Sequence, residues 1–177
     1  RILCFSYNKR DKKLEDHDIA AHVKPGSGPR HLVFSPNGRY AYLMNELSGK
    51  VIVYSYSDGK LKELQSIAAD NANARGGADI HVSPDGMFVY ASTRLKGDGI
   101  TIFRVGNKGT LTRVGAQLTG KHPRNFAITP NGNFLLVACR DDNSIQVYSR
   151  DKDTGLLKNT HQDIVLSHPV CVKFYPE

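Results

Sequence analysis

Seven side chains able to handle an anion or a proton sit at matched places in this 177-residue sequence. Arg30 and His31, Asp79 and His81, and Arg124 precede three copies of one Pro-containing turn, and Glu46 and Arg94 follow two of them. An arginine's planar fork binds a carboxylate or a phosphate at two points. Histidine exchanges a proton near neutral pH, and a glutamate within hydrogen-bond reach of a water can serve as a general base. The set therefore fits acid–base chemistry on a small anionic molecule. It also fits a plainer role, a ring of ion pairs that ties neighbouring repeats together. No H-E-x-x-H pair, EF-hand loop, Gly-rich phosphate loop or G-x-S-x-G elbow occurs, so the expected chemistry needs no metal and no other cofactor.

The elements that must position these residues are written as a repeat. Phe34-Ser35-Pro36-Asn37-Gly38, Val82-Ser83-Pro84-Asp85-Gly86 and Ile128-Thr129-Pro130-Asn131-Gly132 are versions of one turn, and a fourth begins at Phe174-Tyr175-Pro176. The prolines at 36, 84, 130 and 176 are spaced by 48, 46 and 46 residues, the period of a four-stranded propeller blade and not of most helical solenoids. Each period reads as four strands. An inner strand precedes the Pro, and a second follows the Asn-Gly or Asp-Gly turn, as in Tyr40 to Asn45, Phe88 to Thr93 and Phe134 to Cys139. A third alternates from Val51, Ile100 and Ile145, and a fourth is headed by Leu61, Leu111 and Leu156.

The predicted fold is all-β, about half of a seven-bladed propeller in one unit over residues 1–177. Complete blades are expected at 28–67, 77–117 and 123–166. Residues 1–19 fit only the two outer strands of a blade, and 168–177 only the inner strand of another. A missing N-terminal half of the propeller is thus an expected partner. Counting from each Pro, the residues six and five before it begin the inner strand, and the residue ten after it ends the second. Antiparallel pairing puts those ends side by side, so Arg30, His31, Asp79, His81, Arg124, Glu46 and Arg94 should converge on one mouth of the channel.

Composition narrows the function classes. Apolar residues make up 40% of the chain and charged residues 23%, enough to build a core. The longest apolar run, Phe134 to Cys139, is six residues, too short for a membrane helix. The formal charge of 24 − 17 = +7 favours anionic partners. The densest basic run, Lys9-Arg10-Asp11-Lys12-Lys13, contains an acid and falls where a solvated turn is expected. No interleaved basic and aromatic pattern marks a nucleic-acid surface. Cys4, Cys139 and Cys171 lie far apart and read as reduced thiols of a cytoplasmic protein. His17, His22 and His161 read as surface residues. His122 and His168, each before a Pro, read as loop residues close to the mouth.

Gly28-Pro29-Arg30-His31, Asn45-Glu46-Leu47, Ala78-Asp79-Ile80-His81 and His122-Pro123-Arg124 resemble, in that order, motifs of the bacterial seven-bladed propeller lactonases. That family contains propeller-type 6-phosphogluconolactonases and is similar to the fungal 3-carboxy-cis,cis-muconate lactonizing enzyme. The resemblance spans nearly the whole chain and corresponds to the family's C-terminal half. It implies a hydrolase that opens 6-phosphoglucono-δ-lactone in carbohydrate metabolism. Glu46 or His31 would be the general base, Arg30 would stabilise the oxyanion, and Arg94 and Arg124, with His81 and Asp79, would bind substrate. Arg30 and Glu46 match positions implicated in the lactonizing branch, whose catalytic histidine would lie upstream. A muconate-type cycloisomerase and a non-catalytic binding propeller are the alternatives, because a propeller fold hosts many functions.

Overall fold

A computed structural model describes residues 1–70, 72 and 75–175, and for residues 16 and 17 the backbone only. Pro176 and the His17 side chain therefore lie outside the described residues. Strands β1 (Ile2–Asn8) and β2 (Lys13–Ala21) form a two-stranded antiparallel unit. One antiparallel sheet follows from β3 (Pro29–Phe34), β4 (Tyr40–Asn45), β5 (Lys50–Ser57) and β6 (Lys60–Ala68). A second is built from β7 (Gly77–Val82), β8 (Phe88–Thr93), β9 (Gly99–Val105) and β10 (Leu111–Leu118). A third contains β11 (Pro123–Ile128), β12 (Phe134–Cys139), β13 (Ser144–Arg150) and β14 (Leu157–Asn159), with β15 (Ile164–Val165) also paired to β13. These are three consecutive propeller blades with a partial blade before them. The inner strands β3, β7 and β11 are neighbours in that order. Among the described residues the one helical segment is a 3-10 turn at Arg140–Asp142, and no helix is long and apolar enough to cross a membrane.

The repeated turn closes on its own side chains. Ser35 Oγ donates to Asn37 Oδ1 at 2.7 Å and accepts from Tyr40 N at 3.0 Å, while Asn37 Oδ1 also accepts from Arg39 N at 3.0 Å. Ser83 with Asp85 and Thr129 with Asn131 repeat this network. The glycine after the Asn or Asp takes a positive φ in all three copies, which is why the sequence keeps Gly at 38, 86 and 132.

Period-2 alternation then places the core between blades and not within one. Along β4, Ala41 and Leu43 face the β1–β2 unit, packing with Ile52, Tyr54 and Ala20, whereas Tyr42 and Met44 pack against Ile80, Val89 and Phe103 of the next blade. Along β8, Val89 and Ala91 look back to the first complete blade, and Phe88 and Tyr90 look forward to Phe126, Leu135 and Tyr148. Every second strand is sandwiched on both faces, so it reads as a continuous apolar run. A polar lock reinforces the second junction. The buried Arg150 donates to Tyr90 Oη at 2.8 Å, to the Gly132 carbonyl at 3.1 Å and to Asp85 Oδ2 at 2.7 Å.

Two expectations differ in detail. The outer strand of the third complete blade does not start at Leu156, because the Leu156 carbonyl accepts from Asp151 N and closes the preceding turn. The strand begins at Leu157 and is split from β15 by His161, whose φ is positive. The inner strand expected at 168–177 has no sheet ladder over its described part. A strand needs a ladder partner, and no strand of the described residues pairs with it through the backbone. The Lys9–Lys13 run behaves as expected: residues 9–12 are exposed and turn the chain between β1 and β2.

Adjacent blades also meet where Gly109 lies against the Tyr40 ring and Gly155 against the Phe88 ring, both glycines at positive φ. Alanine at either position would push its Cβ into that ring. Gly109→Ala and Gly155→Ala should each destabilise the full-length protein by more than about 1 kcal/mol, read as a lowered melting temperature, while Gly97→Ala, which meets open space at positive φ, should cost less.

Candidate active site

The first residues of β3, β7 and β11 lie at the end of the blades opposite the repeated turn. They frame a cleft of about 570 Å³ whose lining includes Arg30, His31, Asp79, His81, Arg124 and Asn125, joined by Val170, Cys171 and Lys173 from the last described segment. Five of the seven residues expected at one mouth thus share a wall. Glu46 and Arg94 do not line it. They stand behind Arg30, and their contacts explain why.

Asp79 is the hub. Its side chain is 4% exposed, and its carboxylate gathers donors from three blades. His31 Nδ1 lies 2.6 Å from Oδ1, His81 Nε2 lies 3.1 Å from Oδ2, Phe126 N donates to Oδ2 at 3.2 Å, and Asn125 Nδ2 donates to the same oxygen. Its own amide donates to Ser92 Oγ at 2.9 Å. Burial alone would raise this carboxyl. The hydrogen bonds from His31 and His81, the charge on His81 and the Phe126 amide outweigh burial and hold it well below the usual carboxylate range. An ionised carboxylate only accepts, so each imidazole must present an N–H to it. His31 thereby donates from Nδ1 and keeps Nε2 for another partner, and His81 donates from Nε2 and keeps Nδ1. Asp79 is thus engaged with the protein's own donors, which differs from the expected substrate contact.

A second cluster backs the first. Arg30 Nε donates to the Ala78 carbonyl at 2.9 Å, and its Nη1 reaches Glu46 Oε2 at 3.4 Å. Arg94, buried, donates to Glu46 Oε1 and places Nη1 3.1 Å from His122 Nε2. Burial raises the Glu46 carboxyl, but the Arg94 hydrogen bond and the charges of Arg94 and Arg30 bring it below its ordinary value. His122 Nδ1 in turn lies 3.3 Å from Asp141 Oδ2. Glu46 is therefore an anchor for two guanidinium groups, a poor setting for taking a proton from water.

The cleft can hold an anion and move a proton beside it. Arg124 and Lys173 line it and make no hydrogen bond or ion pair with another group among the described residues. Among the described residues no group of three or more His, Cys, Asp or Glu is placed to hold a metal ion. Asn125 and Lys173 are not among the expected site residues, and His122 is expected only as a loop residue close to the mouth. Asn125 shares the repeat position of His31 and Asp79, five before the turn Pro, and Lys173 shares that of His81, so the register carried a signal for both. His122 touches Arg94 only because two blades dock, and sequence spacing holds no trace of that.

A propeller with a charged, concave mouth at the start of its inner strands is a binding or catalytic scaffold. Residues 1–174 match the family model described as Lactonase, 7-bladed beta-propeller, and the chain belongs to that family. The 6-phosphogluconolactonase of Formosa agariphila is 48% identical over 153 residues, covering 84% of this chain and 43% of that protein. That of Bacillus subtilis is 35% identical over 179 residues, covering 96% and 50%. A crystal structure from Bacteroides uniformis, described as a candidate 6-phosphogluconolactonase, is 58% identical with a TM-score of 0.95 and covers 98% of this chain and 51% of its own. The Pseudomonas aeruginosa periplasmic gluconolactonase is 32% identical with a TM-score of 0.86, covering 97% and 50%. The chain spans about half the length of these relatives.

The depressed Asp79 carboxyl sets a pH dependence. A group with a lowered folded-state pKa contributes stability above its unfolded value near 3.9, lost as pH falls towards the folded value. Asp79→Asn should cost on the order of 2 kcal/mol at pH 7 from the lost charge-assisted hydrogen bonds. The gap between wild type and Asp79→Asn in chemical denaturation should narrow below about pH 4.

Proposed function

We propose that the full-length protein hydrolyses 6-phosphoglucono-δ-lactone, with His31 as general base. The observation that carries this reading is the His31–Asp79 pair on the wall of a cleft bordered by Arg124 and Lys173. His31 Nε2 takes a proton as water oxygen attacks the lactone carbonyl carbon. Arg30 stabilises the tetrahedral oxyanion. Collapse breaks the ring C–O bond, and the protonated His31 returns its proton to the departing alkoxide. Arg124 and Lys173 hold the phosphate, and His81 hydrogen-bonds the sugar hydroxyls. Glu46 and Arg94, assigned above to the base and to substrate binding, act in this reading by orienting Arg30. The relatives named 6-phosphogluconolactonase support the substrate class. The blades of a complete seven-bladed ring would wall the other side of the cleft, so activity is assigned to that ring. The three free thiols suit a cytoplasmic setting, whereas one relative is periplasmic, and cell fractionation decides between them.

The test is turnover by the full-length protein of 6-phosphogluconolactone, the unphosphorylated lactone and a muconate lactone. Preference for the first, with a fall of roughly 10²-fold or more in kcat for His31→Asn, is expected. Arg30→Ala should cost about 2.7–4 kcal/mol in transition-state stabilisation. Arg124→Ala should raise KM with little change in kcat, since a remote phosphate is held equally in ground and transition states. Muconate lactone as the preferred substrate, or full turnover by His31→Asn, would overturn the reading.

A further inference from the structure

We propose that His122 is a positioning residue, a neutral imidazole protonated on Nδ1 that accepts from Arg94 through Nε2 and so sets the Arg94–Glu46–Arg30 chain behind the cleft. Its effect on turnover rests on the lactonase reading above; its protonation state does not.

The tautomer follows from donor inventory. Arg94 Nη1 lies 3.1 Å from His122 Nε2, and arginine has only donors, so Nε2 must carry a lone pair. The remaining proton of the neutral ring is then on Nδ1, which faces Asp141 Oδ2 at 3.3 Å. The groups around the ring come from three elements: Arg94 beyond the end of β8, Arg124 on β11, and Arg140 and Asp141 in the 3-10 turn, while Asp98 accepts from the His122 backbone amide at 3.1 Å. Burial, then Arg140 and Arg94, and lastly Arg124, push His122 below its ordinary value, and Asp141 only partly offsets them.

The backbone supplies an independent sign. His122 sits eight residues before its turn Pro, where the first and second repeats carry Gly28 and Gly76 and the fourth carries His168. All four take positive φ, 64°, 110°, 58° and 44° in chain order 28, 76, 122 and 168. A side chain in that region is strained, and strain retained at His122 where two other repeats use glycine directs attention to what the side chain does there. At Gly28 and Gly76 a Cβ would press on Leu47 and on the Arg94 carbonyl, whereas at 122 the side chain is accommodated and its imidazole receives the Arg94 guanidinium. Protonating His122 would set two cations 3.1 Å apart and withdraw that acceptor. Arg94 would then be held by Glu46 and, more loosely, by the Gly76 carbonyl at 3.4 Å. Arg30 shares the same Glu46 carboxylate, so the disturbance reaches the cleft.

The experiment is long-range 1H–15N spectroscopy of the full-length protein labelled with 15N-histidine, with His122→Gln identifying the His122 signals. A neutral ring with Nδ1–H, titrating below 6.5, is expected. An Nε2–H tautomer, or a charged ring at pH 7.5, overturns the proposal whatever the activity. Kinetics give the second arm. His122→Phe, checked for an unchanged melting transition, should lower kcat about tenfold or more with KM little altered, as loss of one charge-assisted hydrogen bond predicts. His122→Gln, whose carbonyl accepts from Arg94 at every pH, should recover most of that loss and shift the acid limb of the kcat profile to lower pH. A folded His122→Phe with wild-type kcat would overturn the positioning role. Absence of lactonase activity in the wild-type protein would overturn the proposed function and leave the spectroscopic arm standing.

Discussion

The buried carboxylate of Asp79 constrains everything around the channel. Taking an isolated carboxylate out of water costs several kcal/mol, so it survives in the interior only where donors replace its hydration. Here they come from three blades: His31 from the first complete blade, His81 and the Ile80 amide from its own, Asn125 and the Phe126 amide from the third. His31, Asp79 and Asn125 occupy one repeat position, so the inner strands are held in register by a row of donor, acceptor and donor. The row continues, since Val172 N donates to Asn125 Oδ1 at 2.7 Å. Removing the anion would leave two imidazoles and an amide facing one another with nothing between them to accept.

The two ends of the blades are built on opposite terms. At the turn end, polar groups are consumed locally: the Ser-Asn, Ser-Asp and Thr-Asn pairs satisfy their own backbone, and Arg150 spends its donors on Asp85, Tyr90 and the Gly132 carbonyl. At the mouth, the inner strands begin without such closure, and the side chains there bond across blades. A repeat protein whose core lies between units can vary those mouth residues freely, because the apolar alternation that holds the blades together runs through other positions. The chemistry therefore collects at one end without weakening the packing.

Much of this was legible in sequence. The second strands, Tyr40–Asn45, Phe88–Thr93 and Phe134–Cys139, coincide with apolar stretches because burial on both faces confines their polar residues, Asn45, Ser92 and Thr93, to the mouth end. Their turn chemistry is local, and Asn-Gly or Asp-Gly declares it. The outer strand after Leu156 is less legible: it is largely exposed, its hydrophobic pattern is weak, and the preceding turn uses the Leu156 carbonyl, so the strand starts one residue later. At the site, register alone brought Arg30, His31, Asp79, His81 and Arg124 to one wall. It could not say which carboxylate would be engaged by arginine. Glu46 and Asp79 look alike as residue types, and the docking of neighbouring blades adds Arg94 to the same-blade Arg30 at Glu46 and His31 to the same-strand His81 at Asp79.

That division of partners settles the electrostatics of the cleft. Among the described residues, Asp79 is the single acidic side chain lining the cleft, and its charge is already committed to internal donors. Glu46 lies behind, neutralised by Arg94 and Arg30 together. Among the described residues, the cations that remain on the cleft surface, Arg124 and Lys173 with the outer part of Arg30, face no carboxylate beyond the engaged Asp79. In a concave, partly desolvated space such a field acts over several ångströms and concentrates small anions. The acceptor nitrogen of His31 stands on that same wall, with Asp79 behind it to stabilise a positive imidazolium. In the proposed reading, an anionic ester drawn in by the cations would meet His31 Nε2 while the ionised Asp79 holds the ring's other nitrogen.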